Sequence, residues 1–188
     1  MKRYALGTAA LFVVLALTVF IAGCTSETTM RRVADEAIAD YKASFAPETF
    51  GFGVAWEAGY SYAQGVKVGN MIFVSGQLSH DRELNEQGYP ATDMMTGKDF
   101  DFQLRQTLDN VKAVLEHYGA TMDDVVMLQN FVDPEAGPMT AGNWMFEELP
   151  VIISEYFPNA QHTMTVMEVT NLFGGEQLVE SNAIAVVH

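Results

Sequence analysis

Residues 101–133, DFQLRQTLDNVKAVLEHYGATMDDVVMLQNFVD, constrain this chain more than any other stretch. Leu104, Leu108, Val111 and Leu115 recur at spacings of four, three and four, which is one face of an amphipathic helix. Gly119 stands just past the end, where helices commonly close on a left-handed residue. Val125, Val126, Leu128, Phe131 and Val132 then read as a mostly buried strand. A long helix that turns quickly into a strand needs other strands beside that strand and a sheet face under the helix.

The remaining chain supplies both. Phe52, Val54 and Trp56 alternate with period two and predict the first of a set of short strands within Phe50–Gly76. Gly69-Asn70 separates two β-rich runs in Tyr60–Gly76, a tight hairpin signal. Residues 77–100 form a polar stretch with Gly88, Pro90 and Gly97, long enough for a lid or rim. After Gly137, Pro138 and Gly142, the spacing of Phe146, Leu149, Ile153 and Tyr156 predicts a second helix that Pro150 kinks or begins. Residues 162–170 alternate as a strand, Gly174-Gly175 turns the chain, and residues 177–188 form the last strand. The order predicts an α+β sandwich with helices on one sheet face. Its other face needs burial, which points to an oligomer.

Composition narrows the partners. The 188 residues, 49% of them apolar, suffice for one domain with a real core. A net charge of −14 argues against nucleic acid, whose phosphates are bound by Lys and Arg. Cys24 is the only cysteine, so no intramolecular disulfide or thiolate metal cluster can form. Eleven methionines read as ordinary core filling. His80, His117 and His188 share no metal-ligand spacing, and no G-x-S-x-G, P-loop or G-x-G-x-x-G context exists.

The first 23 residues read as a targeting segment. Lys2 and Arg3 precede the apolar run Ala5–Ala22, and Ile21-Ala22-Gly23-Cys24 resembles the lipobox of bacterial lipoproteins, which are cut before a cysteine that is then acylated. An uncleaved membrane anchor is the competing reading, since 18 apolar residues could just span a bilayer. Several acyl chains on Cys24 would hold the protein durably on a membrane. Thr25, where an aspartate would favour the inner membrane, implies the periplasmic side of the outer membrane. Cleavage leaves eight basic against 24 acidic residues, about −16. Residues 24–49 read as a tether with a short helix, since Val33, Ala37, Tyr41 and Phe45 are four apart and Pro47 ends the pattern. Residues 50–188 are the domain.

Three stretches resemble the RidA family, also called YjgF or L-PSP: YAQGVKVGNMIFVSGQ at Tyr62–Gln77, RQTLDNVKAVLEHYGATMDDVV at Arg105–Val126, and NAIAVV at Asn182–Val187. The resemblance covers roughly Tyr60–His188. It implies a chorismate-mutase-like fold and a homotrimer, with a barrel-like centre and small-molecule clefts between subunits. It also implies hydrolysis of 2-imino acids to 2-keto acids and ammonia, without metal or cofactor. Such chemistry needs a cation for the substrate carboxylate and a group that positions water at the imine carbon.

The resemblance assigns Tyr62, Ser75 and Gly76 to the frame of the cleft. Aligned on Val166-Met167-Glu168-Val169, the family's arginine slot holds Met164, and His162-Thr163 stands where Pro-Ala would be. The family's water-orienting glutamate precedes an Ala-Ile-Ala run; here that position is Asn182. An amide can hold a water but cannot act as a base. Glu180 lies two residues earlier on the same strand face and is the candidate to position water. Met164 and Val166 fill an apolar part of the cleft, and His162 offers at most a partial cation. Arg105, which opens the helix, reads as a surface ion-pair residue. Loss of both arginine and glutamate favours small-ligand binding or a divergent activity, with imine or enamine deamination as the alternative. The endoribonuclease activity also attached to the family fits poorly with −14.

Overall fold

The computed structural model describes residues 26–80, 99–133, 145, 147–159, 161–173 and 176–188. The signal segment, Cys24, most of the 77–100 stretch, residues 134–144 and the Gly174-Gly175 turn lie outside the described residues. Two compact units divide at Ala46/Pro47. Among the described residues, no helix is long and apolar enough to cross a membrane.

The first unit is helix α1, Glu27–Ala43. Ser26 caps it, its hydroxyl accepting the Thr29 N–H at 3.3 Å, and Arg31–Glu27 and Arg32–Glu36 pair one turn apart on its surface. No residue of α1 is buried. Tyr41 and Phe45 touch edge to face along its exposed side.

The second unit, Pro47–His188, carries a six-stranded sheet. Its elements are β1 (Glu48–Phe50), α2 (Ala55–Tyr60), β2 (Gly65–Val68), β3 (Met71–Gln77), α3 (Phe100–His117), β4 (Val125–Val132), α4 (Glu148–Tyr156), β5 (Thr163–Glu168) and β6 (Val179–Val186). The strand order is β1-β2-β3-β6-β4-β5, antiparallel except for the β4–β5 pair.

The helix and strand that dominate the sequence are the centre of this unit. Asp99 caps α3 by accepting the Phe102 N–H at 3.0 Å. Gly119 closes it at φ +73°, a conformation open to glycine, while the Ala120 N–H reaches back to the Leu115 carbonyl. Leu104, Leu108, Val111 and Leu115 are fully buried against the sheet. They meet Ile72 and Val74 of β3, Leu128 and Val132 of β4, and Val179, Ala183 and Ala185 of β6. Gly65 of β2 lets the helix come close: an added Cβ would stand 2.5 Å from Val114 Cγ1. The Tyr118 hydroxyl donates to the Gly65 carbonyl at 2.8 Å, and burial pushes its pKa up to about 12.

One expected strand is absent. The alternation of Phe52, Val54 and Trp56 is interrupted by Gly53 at φ +78°, and residues 55–60 wind into α2. The competing force is the Glu57 carboxylate. It accepts the N–H groups of Phe52 and Gly53 and the Gln64 side-chain amide, at 2.8, 2.9 and 2.8 Å. Three such bonds outweigh a short period-two pattern. The hairpin forms as its sequence predicts, with Gly69 at φ +62° between β2 and β3. Pro150 sits in the first turn of α4, so it begins that helix rather than kinking it.

The sheet face turned away from α3 is partly exposed among the described residues. Val66, Phe73, Ile184 and Met127 form one stripe across β2, β3, β6 and β4. Val68, Met71 and Val186 form a second. Phe73 is 41% exposed and Met71 38%.

Candidate functional site

β3 and β6 build the candidate site through a bulge. Val74 pairs with Ala183 and Gln77 with Ser181, so β3 spends one residue more than β6 over this span. The extra residue puts Ser75-Gly76 across the ladder from Asn182, on the open face. It also keeps Gln77 inward, where its amide donates to Gln64 Oε1 at 2.9 Å.

Tyr62 enters from the link between α2 and β2. Its hydroxyl donates to the Gly76 carbonyl at 3.1 Å. The Ser75 hydroxyl donates to the Ala63 carbonyl at 2.7 Å. Gly76 has no side chain because Glu180 takes that space: an added Cβ would stand 1.8 Å from Glu180 Oε1. Five sequence-predicted residues, Tyr62, Ser75, Gly76, Glu180 and Asn182, are therefore gathered on one patch.

The patch carries negative charge and is half-buried. Burial raises the Glu180 carboxyl above the usual carboxylate range, and among the described residues no Lys or Arg forms an ion pair with it. Burial also raises the Tyr62 phenol, against the pull of Ser75 beside it, and Glu180 and Glu57 push the same way as burial.

The predicted residues of β5 lie elsewhere in the chain. Met164 is in register with Leu128, whose antiparallel neighbour is Ala183; both of these face α3. Asn182 is in register with Gln129 and Thr165, and Glu180 with Phe131 and Met167. Met164 and Val166 thus belong to the opposite sheet face from Glu180 and Asn182, at an edge where Met164 is 45% exposed. His162 leads into that edge with its ring 4.2 Å from Phe157. Burial lowers its pKa, and among the described residues its Nδ1 has no hydrogen-bond partner. Arg105 is committed as expected: it bonds Asp101 at 2.8 Å and pairs with Glu155 on α4.

Glu57 is the site residue that sequence reasoning misses. It ties α2 to the segment after β1 and to Gln64 just before β2, and it biases the Tyr62 phenol. The only hint is Gly51-Phe52-Gly53 ahead of it; an added Cβ at Gly51 would stand 2.6 Å from the Glu57 carboxylate. Among the described residues, no group of three or more His, Cys, Asp or Glu could hold a metal ion.

Comparison with known proteins gives the family and the fold. Residues 52–187 match the family described as Endoribonuclease L-PSP. A RutC family protein of Saccharolobus solfataricus is 34% identical over 128 residues, 66% of this chain and 85% of that protein. A 2-iminobutanoate/2-iminopropanoate deaminase of Escherichia coli K12 is 42% identical over 71 residues, 38% of this chain and 48% of the enzyme. The crystal structure of a YjgF/YER057c/UK114 family member from Mycobacterium tuberculosis matches with TM-score 0.59 and 22% identity, over 76% of this chain and all of that one. That likeness shows the α+β, chorismate-mutase-like fold. The family match spans more than half of the sequence, and this chain belongs to the RidA (YjgF, L-PSP) family.

Proposed function

We propose that this protein binds a small ligand in a cleft completed by a second copy of the chain, and that it does not hydrolyse 2-imino acids at the rate of the deaminases it resembles. One observation carries the reading. Tyr62, Ser75, Gly76, Glu180 and Asn182 converge on the open face, while Met164, Val166 and His162 sit at the β5 edge on the other side of the same sheet. A site that used both sets would draw each from a different copy. The partly exposed apolar stripes of this face, with Phe73 and Met71 the most exposed, are the surface a homotrimer would bury, which agrees with an oligomer. Met164 in the arginine slot leaves the substrate carboxylate without its charge-assisted anchor. The lipobox-like run ending in Cys24 supports a tether on the periplasmic side of the outer membrane. Replacement of Cys24 by Ser should then release the protein from the membrane fraction, and mass spectrometry should find no acyl chain on the variant.

Imine hydrolysis by residues 25–188 tests the central reading. An amino-acid oxidase generates 2-imino acids in situ, and semicarbazide traps what survives. The expected result is no acceleration over buffer by a protein that light scattering shows to be an oligomer.

A second reading, cofactor-independent imine or enamine deamination, is favoured by Glu180 itself. A carboxyl held above its usual pKa range, beside a tyrosine and a bulge, is placed to orient a water and pass its proton. Water would add across the C=N bond, and collapse of the amino alcohol would release ammonia and leave the carbonyl. Accelerated imine loss that Glu180→Ala abolishes would install this reading in place of the first.

A further inference from the structure

Resting on the reading of this patch as a ligand site, we infer that its ligand is a small cation bearing N–H donors, of the protonated amine, iminium or amidinium class, and that Glu180 is the residue that selects it.

The hydroxyl hydrogens of the patch are both spent. Tyr62 has one hydroxyl hydrogen, and it is used on the Gly76 carbonyl at 3.1 Å. Ser75 has one, and it is used on the Ala63 carbonyl at 2.7 Å. What these two side chains still offer a ligand is lone pairs. Glu180 brings two carboxylate oxygens and no hydrogen of its own when ionised. Its Oε1 lies over Gly76 because that residue has no Cβ, so the carboxylate is aimed at the patch rather than away from it. The Asn182 amide is the one side-chain N–H source among the gathered residues, and it is uncharged. A carboxylate ligand would meet two committed hydroxyls and a half-buried negative charge. A cation with N–H groups would meet the Glu180 carboxylate, the hydroxyl lone pairs of Tyr62 and Ser75 and the Asn182 amide oxygen.

The rest of the molecule agrees. No cation among the described residues forms an ion pair with Glu180, and its only resolved perturbation is burial. A half-buried carboxylate with no cation beside it among the described residues carries a desolvation cost, and a cationic ligand offsets it. The chain's formal charge of −14 favours the approach of cations over anions at every distance where charge is felt. The β5 edge adds no opposing charge through Met164 or Val166, and burial disfavours the charged form of His162.

Three probes of one shape separate the possibilities: benzamidinium, benzamide and benzoate. Titration calorimetry of the full-length chain in non-ionic detergent reads the affinity of each. Benzamidinium should bind on the order of tenfold or more tighter than benzamide, with benzoate weakest, the ratio expected of a charge-assisted contact. Glu180→Gln should bring benzamidinium down to the level of benzamide and leave benzamide unchanged. Gly76→Ala, which drives the carboxylate from its place without altering its charge, should erase the preference as well. Benzamidinium stays cationic through the acid range, so lowering the pH titrates the protein. The preference should disappear as Glu180 protonates, at a pH above the usual carboxylate range. The other titratable groups that bear on this patch are Tyr62 and Glu57, and His162 lies at the β5 edge. Benzoate binding as tightly as benzamidinium, or a preference that survives Glu180→Gln, overturns the inference while the cleft itself stands. Failure of all three probes to bind the assembled protein overturns the cleft and the inference together.

Discussion

Single residues make this site costly to keep. Glu180 has a folded pKa raised by burial, and among the described residues no cation pairs with it to offset the shift. A carboxyl raised in the fold stabilises the protein below its unfolded pKa and loses that contribution as pH rises through the folded value. Glu180→Gln should therefore raise the melting temperature at pH 7, and the gain should vanish in acid where the native carboxyl is already neutral. Scanning calorimetry at two pH values measures this directly. Gly65 and Gly76 give opposite outcomes for the same substitution. At Gly65 an added methyl meets Val114 and the Tyr118 ring, both fixed in the core, and Gly65→Ala should cost about 1–3 kcal/mol, the usual range for overpacking. At Gly76 the obstacle is the end of a flexible side chain that can swing aside. Urea melts should show Gly65→Ala destabilised and Gly76→Ala close to the parent.

At the scale of elements, α3 does most to hold the Pro47–His188 unit together. Leu108 is fully buried between α3 and the sheet, so Leu108→Ala should cost about 2–5 kcal/mol in a urea melt. A shift within experimental scatter would mean that α3 is not the clamp described. Its second role is polar. The Asn110 amide donates to the carbonyls of Leu78 and His80 at 2.9 and 3.0 Å, holding the chain where it leaves β3. Elements with a long, strongly periodic pattern are legible from sequence, and α3, β4, the β2–β3 hairpin and β6 all form where their residues indicate. Phe52–Trp56 is misread because the deciding groups, Gly53 and the Glu57 carboxylate, act through backbone hydrogen bonds that leave no period. The site is legible in part for a related reason. Alternation along β6 puts Glu180 and Asn182 on one face, and resemblance names Tyr62, Ser75 and Gly76. The face of Met164 depends on register with β4, which no local pattern of β5 reveals.

For the whole molecule, the open sheet face is the feature that asks for a partner. Phe73 sits in the middle of the first stripe at 41% exposure, between Val66 and Ile184. Phe73→Glu should leave the far-ultraviolet circular dichroism unchanged and reduce the mass in light scattering to that of one chain. An unchanged mass would show that copies associate through some other surface. The net charge of −14 also sets a condition on association, since like-charged copies repel and salt screens that repulsion.

The open face has a consequence for how this protein is measured. If a second copy covers this patch of apolar sheet, stability becomes a function of dilution. The melting temperature should rise with protein concentration, by mass action, as it does for any protein whose folded form is favoured by association. Ligand binding would follow the same law, fading when the solution is diluted even with ligand in excess, because half of the cleft would diffuse away. Confinement to a surface would remove that dependence. Copies tethered to one plane meet far more often than copies in free solution, so a short chain ending in a lipid would set the order of the reaction as well as its address.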